Sequence, residues 1–349
     1  MEASYEPRTA WNGGEPPSHH ALLLAGSATV EADTPFGPYE VFSLEAPAVF
    51  GLAEVLLSAP RLGRLQLKGP SAIVRIGADE TRRFVAADSL YGTCYRRLAL
   101  ASLVRAIRWT NEGLAKFFTD GKKFTISQID QAIADAVAGF RDGFVVPPDV
   151  PETPGAVKAE APSRAVPDSR PADFKNVRTF LSGDGLSPST LLNLGLKERT
   201  YGSGEVIART GEPAEEAYLI YSGKIRVSVE IPNAGTEALG INGEGDFLGE
   251  MALVDDSPRS ADLTAHEGPV SVFVLTRPVF RRLLDEVPPG CAPLMAQLTF
   301  ALARRLFDAI ERSISFCVMA GGPPQQGAPQ GFEGLPPGDD DEDDFGGEL

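Results

Sequence analysis

Residues 247 to 261, Phe247-Leu-Gly-Glu-Met-Ala-Leu-Val-Asp-Asp-Ser-Pro-Arg-Ser-Ala261, put a glycine, a carboxylate, a short apolar stretch and an arginine into one segment. A loop that holds a sugar phosphate needs these parts. Gly249 lets the backbone approach a ligand where a Cβ would stand in the way. Ionised Glu250 only accepts hydrogen bonds, which suits ribose hydroxyls. Arg259 presents a planar fork of donors that matches a phosphate. Met251, Ala252 and Leu253 read as one helical turn whose N-terminal amides face the same anion.

Other chemistry finds no support. The three histidines are His19, His20 and His266, two of them in a polar start, and no cysteine cluster joins them to make a metal site. No Gly-x-Ser-x-Gly occurs, and Gly121-Lys-Lys123 lacks the earlier glycine of a phosphate loop. Cys94, Cys291 and Cys317 make no disulfide framework in 349 residues; they read as buried thiols in a reducing compartment. The expectation is a binding protein, not an enzyme.

Charge narrows the partners. Acids outnumber bases 48 to 32, for a net −16, and residues 333–349 carry eight acids and no base. Phosphate-backbone affinity comes from basic charge, so no nucleic-acid partner is expected. No run reaches ~18 apolar residues, and the polar, acidic start is not a signal peptide. A cytoplasmic protein with no membrane contact is expected.

The elements around the cassette are short strands separated by glycines: 205–209, 217–221, 224–229, 237–241, 261–265 and 270–275. Two-fold alternation in Lys224-Ile-Arg-Val-Ser-Val229 supports a half-buried strand. Ser187-Pro-Ser-Thr-Leu-Leu-Asn-Leu194, with proline near its first turn, reads as a short helix. Helices follow at 278–284 and 292–314, the second with an apolar stripe of Leu294, Leu298, Leu302, Leu306 and Ile310.

Phe-x-Gly-Glu-x-Ala-Leu, a short loop and Pro-Arg-Ser-Ala together resemble the phosphate-binding cassette of cyclic nucleotide-binding domains. The flanks Gly202-Ser-Gly-Glu-Val-Ile207, Gly211-Glu-Pro213, Tyr218-Leu-Ile-Tyr-Ser-Gly223 and Gly245-Asp246 agree, over roughly residues 175 to 316. The resemblance implies a jelly roll in which Arg259 neutralises the cyclic phosphate. Ser260, Ala261 and the amides near Met251 and Ala252 adjoin it, and Glu250 accepts from the ribose 2′-hydroxyl. Val227 and Leu239 are candidate walls for the base. The C-terminal helix closes such sites, and there Ala309 and Ile310 match positions that are polar in some members. Ser260 in place of threonine leans toward cyclic AMP over cyclic GMP; no metal is implied.

The first half repeats the second. Residues 14–26, Gly-Glu-Pro-Pro-Ser-His-His-Ala-Leu-Leu-Leu-Ala-Gly, align without gaps to residues 211–223, and residues 51–61 align to 249–259. Cys94 and Cys291 keep the spacing. Arg61 matches Arg259, but Leu52 stands at the Glu250 position and Leu62-Gly63 replace Ser260-Ala261, so the first copy reads as a pseudo-site. Glu54, two residues on, is expected to point elsewhere.

The fold class is therefore mainly β with helices: two jelly rolls of the cyclic nucleotide-binding type, each followed by C-terminal helices. The divisions are a degenerate copy at 1–115, with a helix at 99–107; a helical extension at 116–144; a proline-rich linker at 145–172; the intact domain at 173–318; and a disordered acidic tail at 319–349. In the extension, Ile126, Ile129, Ile133, Val137 and Phe140 make a stripe for packing or docking. The linker's seven prolines allow a span of roughly 80 Å, so the halves need not touch. The expected function is a cyclic nucleotide sensor signalling through a separate protein, with a homodimer through the C-terminal helix as one option. The alternative is an interaction scaffold that binds no nucleotide. Tandem domains are also similar to kinase regulatory subunits, but no Arg-Arg-x-Ser/Thr segment is present.

Overall fold

The computed structural model describes residues 2–4, 6–87, 89–119, 186–231 and 235–323. The stripe at 126–140, the linker and the acidic tail lie outside the described residues.

Two antiparallel sheets share one topology. The first contains β1 (Glu2–Ser4), β2 (Arg8–Trp11), β3 (His19–Thr34), β4 (Gly37–Glu45), β5 (Ala48–Phe50) and β6 (Arg64–Gly77). Its order is β4–β3–β6–β1, with β5 on β3 and β2 on β6. The second contains β7 (Lys197–Tyr201), β8 (Val206–Ala208), β9 (Glu216–Ile231), β10 (Gly235–Asn242), β11 (Phe247–Leu248) and β12 (Asp262–Thr276). Its order is β10–β9–β12–β7, with β11 on β9 and β8 on β12. Strands expected as pairs, 217–221 with 224–229 and 261–265 with 270–275, run together as β9 and β12. The glycine between the first pair is absorbed at a register shift rather than ending the strand.

Helices fall in matching places. The first copy has α1 (Leu52–Leu57), α2 (Ala78–Ala86) and α3 (Leu90–Thr119). The second has α4 (Pro188–Asn193), α5 (Met251–Asp255), α6 (Arg277–Glu286) and α7 (Ala292–Met319). Ser187 caps α4 through its hydroxyl, which accepts from the Thr190 amide at 3.2 Å.

The duplication reaches single hydrogen bonds. The amide of Gly14 donates to Arg61 O at 2.8 Å, and that of Gly211 to Arg259 O at 2.9 Å. The amide of Arg61 donates to Glu15 O, and that of Arg259 to Glu212 O. Gly26 and Gly223 both hold positive φ and pass so close to the carbonyls of Pro70 and Pro269 that a Cβ would clash. Ser58 and Asp256, left-handed without being glycine, end α1 and α5 alike. The two sheets thus share their turn chemistry at single positions.

The two halves touch, and closely. Helix α7 packs along α3 and against α1, α2, β3 and β4 of the first copy, and one apolar core runs from Trp11 to Cys317 through both. The smaller interior of the second roll holds Tyr218, Ile220, Leu248, Leu263 and Val272. The leucine stripe on α7 predicted one buried face. Met295, Ala296, Thr299, Ala303, Ser313 and Ile314 are buried as well, because two folds close on the helix. Most of α7, the helix offered as one option for a homodimer, is thus packed within the chain. Tyr39 Oη and Ser313 Oγ, 2.7 Å apart, join β4 to α7 inside the junction. The helix expected at 99–107 is the middle of α3, which also crosses the boundary drawn at 115.

Candidate functional site

Strand β11 ends at Leu248 and the chain turns through Gly249 at φ 77° into α5. A Cβ at Gly249 would fall inside the Arg259 guanidinium. Arg259 is 7% exposed; it donates to Gly249 O at 3.3 Å and to Tyr218 Oη at 3.5 Å, with the Tyr218 ring 5.3 Å away. Both bonds are long, and among the described residues no carboxylate forms an ion pair with Arg259. Glu250 is 0% exposed. Arg305 Nη1 on α7 stands 3.2 Å from Glu250 Oε1, but off the direction of a hydrogen bond, and neither carboxylate oxygen receives one among the described residues. A buried acceptor without a donor is costly. An acceptor awaiting a hydroxyl and a guanidinium awaiting an anion, joined by a glycine with no room for a side chain, fit a ribose phosphate.

Met251 and Ala252 are buried in α5, while Ser260 is exposed and Ala261 half-buried just before β12. Val227 on β9 is half-buried opposite Gly240 and Leu263. Leu239, at a bulge of edge strand β10, is 44% exposed. Val227 packs against the interior of the second roll, whereas Leu239 faces solvent. On the helix side the contacts are polar. Gln297 donates to Gly245 O at 2.5 Å, and Arg305 donates to Phe247 O at 3.4 Å. Ala309 and Ile310 lie a turn further on, both buried, Ile310 in the shared core. The side chain from α7 that reaches Glu250 is Arg305, which the sequence reading missed.

The first copy builds the same corner and fills it. Arg61, 1% exposed, donates to Gly51 O at 3.0 Å and to His19 O. Its guanidinium lies 4.2 Å from the Trp11 ring centre. Trp11 pairs with Leu65 where Ala208 pairs with Leu263 in the second copy, so an indole occupies the place of a methyl group. Leu52 is buried where Glu250 would be. Glu54 on α1 is buried, and burial pushes its carboxyl above the usual range, with Arg61 and backbone hydrogen bonds opposing. Burial likewise lowers the Arg61 guanidinium, with Glu54 and Glu15 opposing. The Trp11 indole thus covers the Arg61 guanidinium. Cys94, expected buried, is exposed, whereas Cys291 and Cys317 are buried.

No helix among the described residues is long and apolar enough to cross a membrane. Residues 198–287 match the family model of the cyclic nucleotide-binding domain. The chain is 35% identical over 120 residues to a cAMP-dependent protein kinase regulatory subunit of Pyricularia oryzae, covering 34% of this chain and 27% of that one. It is 29% identical over 124 residues to a CRP-like cAMP-activated global transcriptional regulator of Mycobacterium tuberculosis, covering 35% and 53%. The chain thus spans about a quarter to about half of the length of these curated relatives. Among solved structures it is similar to the regulatory domain of Toxoplasma gondii PKA with cAMP, at 17% identity and a TM-score of 0.25, covering 82% of this chain and 81% of that one. Residues 198–287 thus match the cyclic nucleotide-binding domain family, and they follow a first sheet with the same strand order.

Proposed function

We propose that the second jelly roll binds one cyclic nucleotide, with cyclic AMP preferred over cyclic GMP, and that the chain is a non-enzymatic, cytoplasmic sensor acting on a separate protein. The observation that carries this is Glu250, fully buried beside Arg259 with no hydrogen-bond donor on either oxygen. The ribose 2′-hydroxyl would donate to Glu250, and the cyclic phosphate would take the donors of Arg259 that now make long bonds. Val227 and Leu239 would face the base, and Ser260 would adjoin the phosphate. The preference for cyclic AMP rests on Ser260 where threonine would favour cyclic GMP, and relatives named for each nucleotide occur.

The test is a calorimetric titration of the full chain with cyclic AMP, cyclic GMP and 2′-deoxy cyclic AMP. Cyclic AMP should bind most tightly. The deoxy analogue should bind about ten- to a hundredfold more weakly, as expected for a lost hydrogen bond to a charged acceptor. Equal affinity for the deoxy analogue would remove Glu250 from the ribose. No binding of either nucleotide would favour the scaffold reading.

A further inference from the structure

The first copy reaches the nucleotide site of the second through one side chain. Arg108 on α3 holds Asp255 with a two-pronged grip: Nη2 donates to Oδ1 at 3.0 Å, and Nε donates to Oδ2. Asp255 is the last residue of α5. Its Oδ1 also accepts the amide of Ser257 at 3.1 Å. One carboxylate therefore ties the end of the cassette helix, the start of the loop leading to Arg259 and the first copy together. The pair is mostly buried, with 26% and 22% of the two side chains exposed, so solvent and salt screen it less than a surface pair. Burial alone would raise the Asp255 carboxyl; the Arg108 and Ser257 donors outweigh it and hold the group below its usual range.

The next residue, Asp256, has a left-handed backbone at φ 57°, a conformation that neighbouring contacts must hold for a non-glycine residue. From its own fold, Arg277 pairs with Asp256 and donates to Ala252 O at 3.1 Å. The cassette is thus gripped from two sides, and Arg108 is the grip from outside. With Cys94 aligned to Cys291, Arg108 stands on α3 where Arg305 stands on α7. These equivalent arginines close on opposite ends of one cassette, Arg305 at Glu250 and Arg108 at Asp255. Leu57 occupies the place of Asp255 in the first copy, so only the second cassette offers a carboxylate there.

We propose that Arg108 is a positioning residue for the nucleotide site: by holding Asp255 it fixes the far end of the cassette, so the first copy sets the affinity of the second. This rests on the nucleotide reading above. A preorganised loop gives affinity by removing an ordering cost from binding. Coupling of this kind is reciprocal, so bound nucleotide tightens the junction between the copies. The first copy has lost its own ligand chemistry and serves as the second site's fixed support.

The experiment compares the full chain with Arg108→Ala, Arg108→Lys and Asp255→Asn by calorimetric titration with cyclic AMP well below each melting temperature. Hydrogen exchange of α3 is followed with and without nucleotide. Arg108→Ala should weaken binding by about five- to 150-fold. Arg108→Lys should recover only part, because an ammonium cannot grip both oxygens. Asp255→Asn should weaken binding although it keeps an acceptor for Ser257. Nucleotide should slow exchange in α3 of the wild type and not of Arg108→Ala. A purely structural Arg108 would lower the melting temperature and leave the dissociation constant unchanged, and that result overturns the proposal. Should Arg108→Ala not fold, wild-type affinity in both Arg108→Lys and Asp255→Asn overturns it equally. Failure of the wild type to bind cyclic AMP would instead take down the nucleotide reading, and this one with it.

Discussion

Arg259 donates through Nη1 to the carbonyl of Gly249 at 3.3 Å, across the place where any other residue would carry a Cβ. Arg61 and Gly51 repeat the bond at 3.0 Å in the first copy. The corner is thus a backbone feature common to both copies, and what differs between them is what surrounds it. Beside Arg259 the buried Glu250 carboxylate pairs with Arg305 but receives no hydrogen bond; beside Arg61 lies the Trp11 indole, with a buried leucine at the glutamate's place.

Gly249→Ala should therefore act in two ways. A left-handed alanine costs about 1–2 kcal/mol, and its methyl group would displace Arg259. Gly204, at φ 79° with open space around its Cβ position, is the control. Both variants should melt lower than the wild type, but only Gly249→Ala should lose nucleotide affinity, by at least about tenfold. Equal affinity in the two variants would show that the glycine serves the turn and not the arginine.

One nucleotide should bind per chain, despite two jelly rolls. Arg61→Ala should leave the dissociation constant unchanged while lowering the melting temperature, since it removes the hydrogen bonds to Gly51 O and His19 O and the contact with the Trp11 ring. Because α7 is packed into the first copy, stoichiometry belongs in the full chain rather than in isolated halves. Two sites per chain in the titration, one of them lost in Arg61→Ala, would contradict this.

His20 gives the first copy a pH dependence. It is buried, with Nδ1 2.8 Å from Thr81 Oγ1 and Nε2 3.0 Å from Tyr95 Oη. The Thr81 hydroxyl donates to Gly77 O, so it accepts from Nδ1–H, and Nε2 accepts from Tyr95: a neutral imidazole. Burial, with help from Arg61, lowers its pKa from 6.5 to about 3. The folded state therefore binds fewer protons than the unfolded state. The contribution is present above pH 6.5 and is lost as pH falls toward 3. The melting temperature should fall across that window, and the slope should flatten in His20→Gln. An unchanged slope in the variant would place the titrating group elsewhere.

The net charge of −16 leaves little attraction for a phosphate backbone. Purified protein should not retard duplex DNA at physiological salt, with or without cyclic AMP. Ligand-dependent, sequence-specific retardation would replace the separate-protein output with a direct one.

The cassette was legible in the sequence because its residues have backbone or charge roles that few others can fill. The glycine-to-arginine spacing survives in both copies even where Leu52 has replaced the glutamate. Turn glycines such as Gly26 and Gly223 marked the duplication for the same reason. Trp11 was not legible, because filling space by bulk leaves no spacing signature; extending the alignment upstream to Ala208 would have exposed it. Arg305, Arg108 and the shared core were not legible either. They depend on two distant helices meeting, and a leucine stripe shows that α7 has a buried face without saying how many folds close on it.

The most direct measurement is a calorimetric titration of the full chain and of Arg259→Ala with cyclic AMP. The wild type should bind one equivalent. Arg259→Ala should bind roughly thirty- to several-thousand-fold more weakly, the loss of about 2–5 kcal/mol expected when one member of a buried charge pair is removed. Wild-type binding with an unchanged dissociation constant in Arg259→Ala would show that the nucleotide sits somewhere other than the cassette.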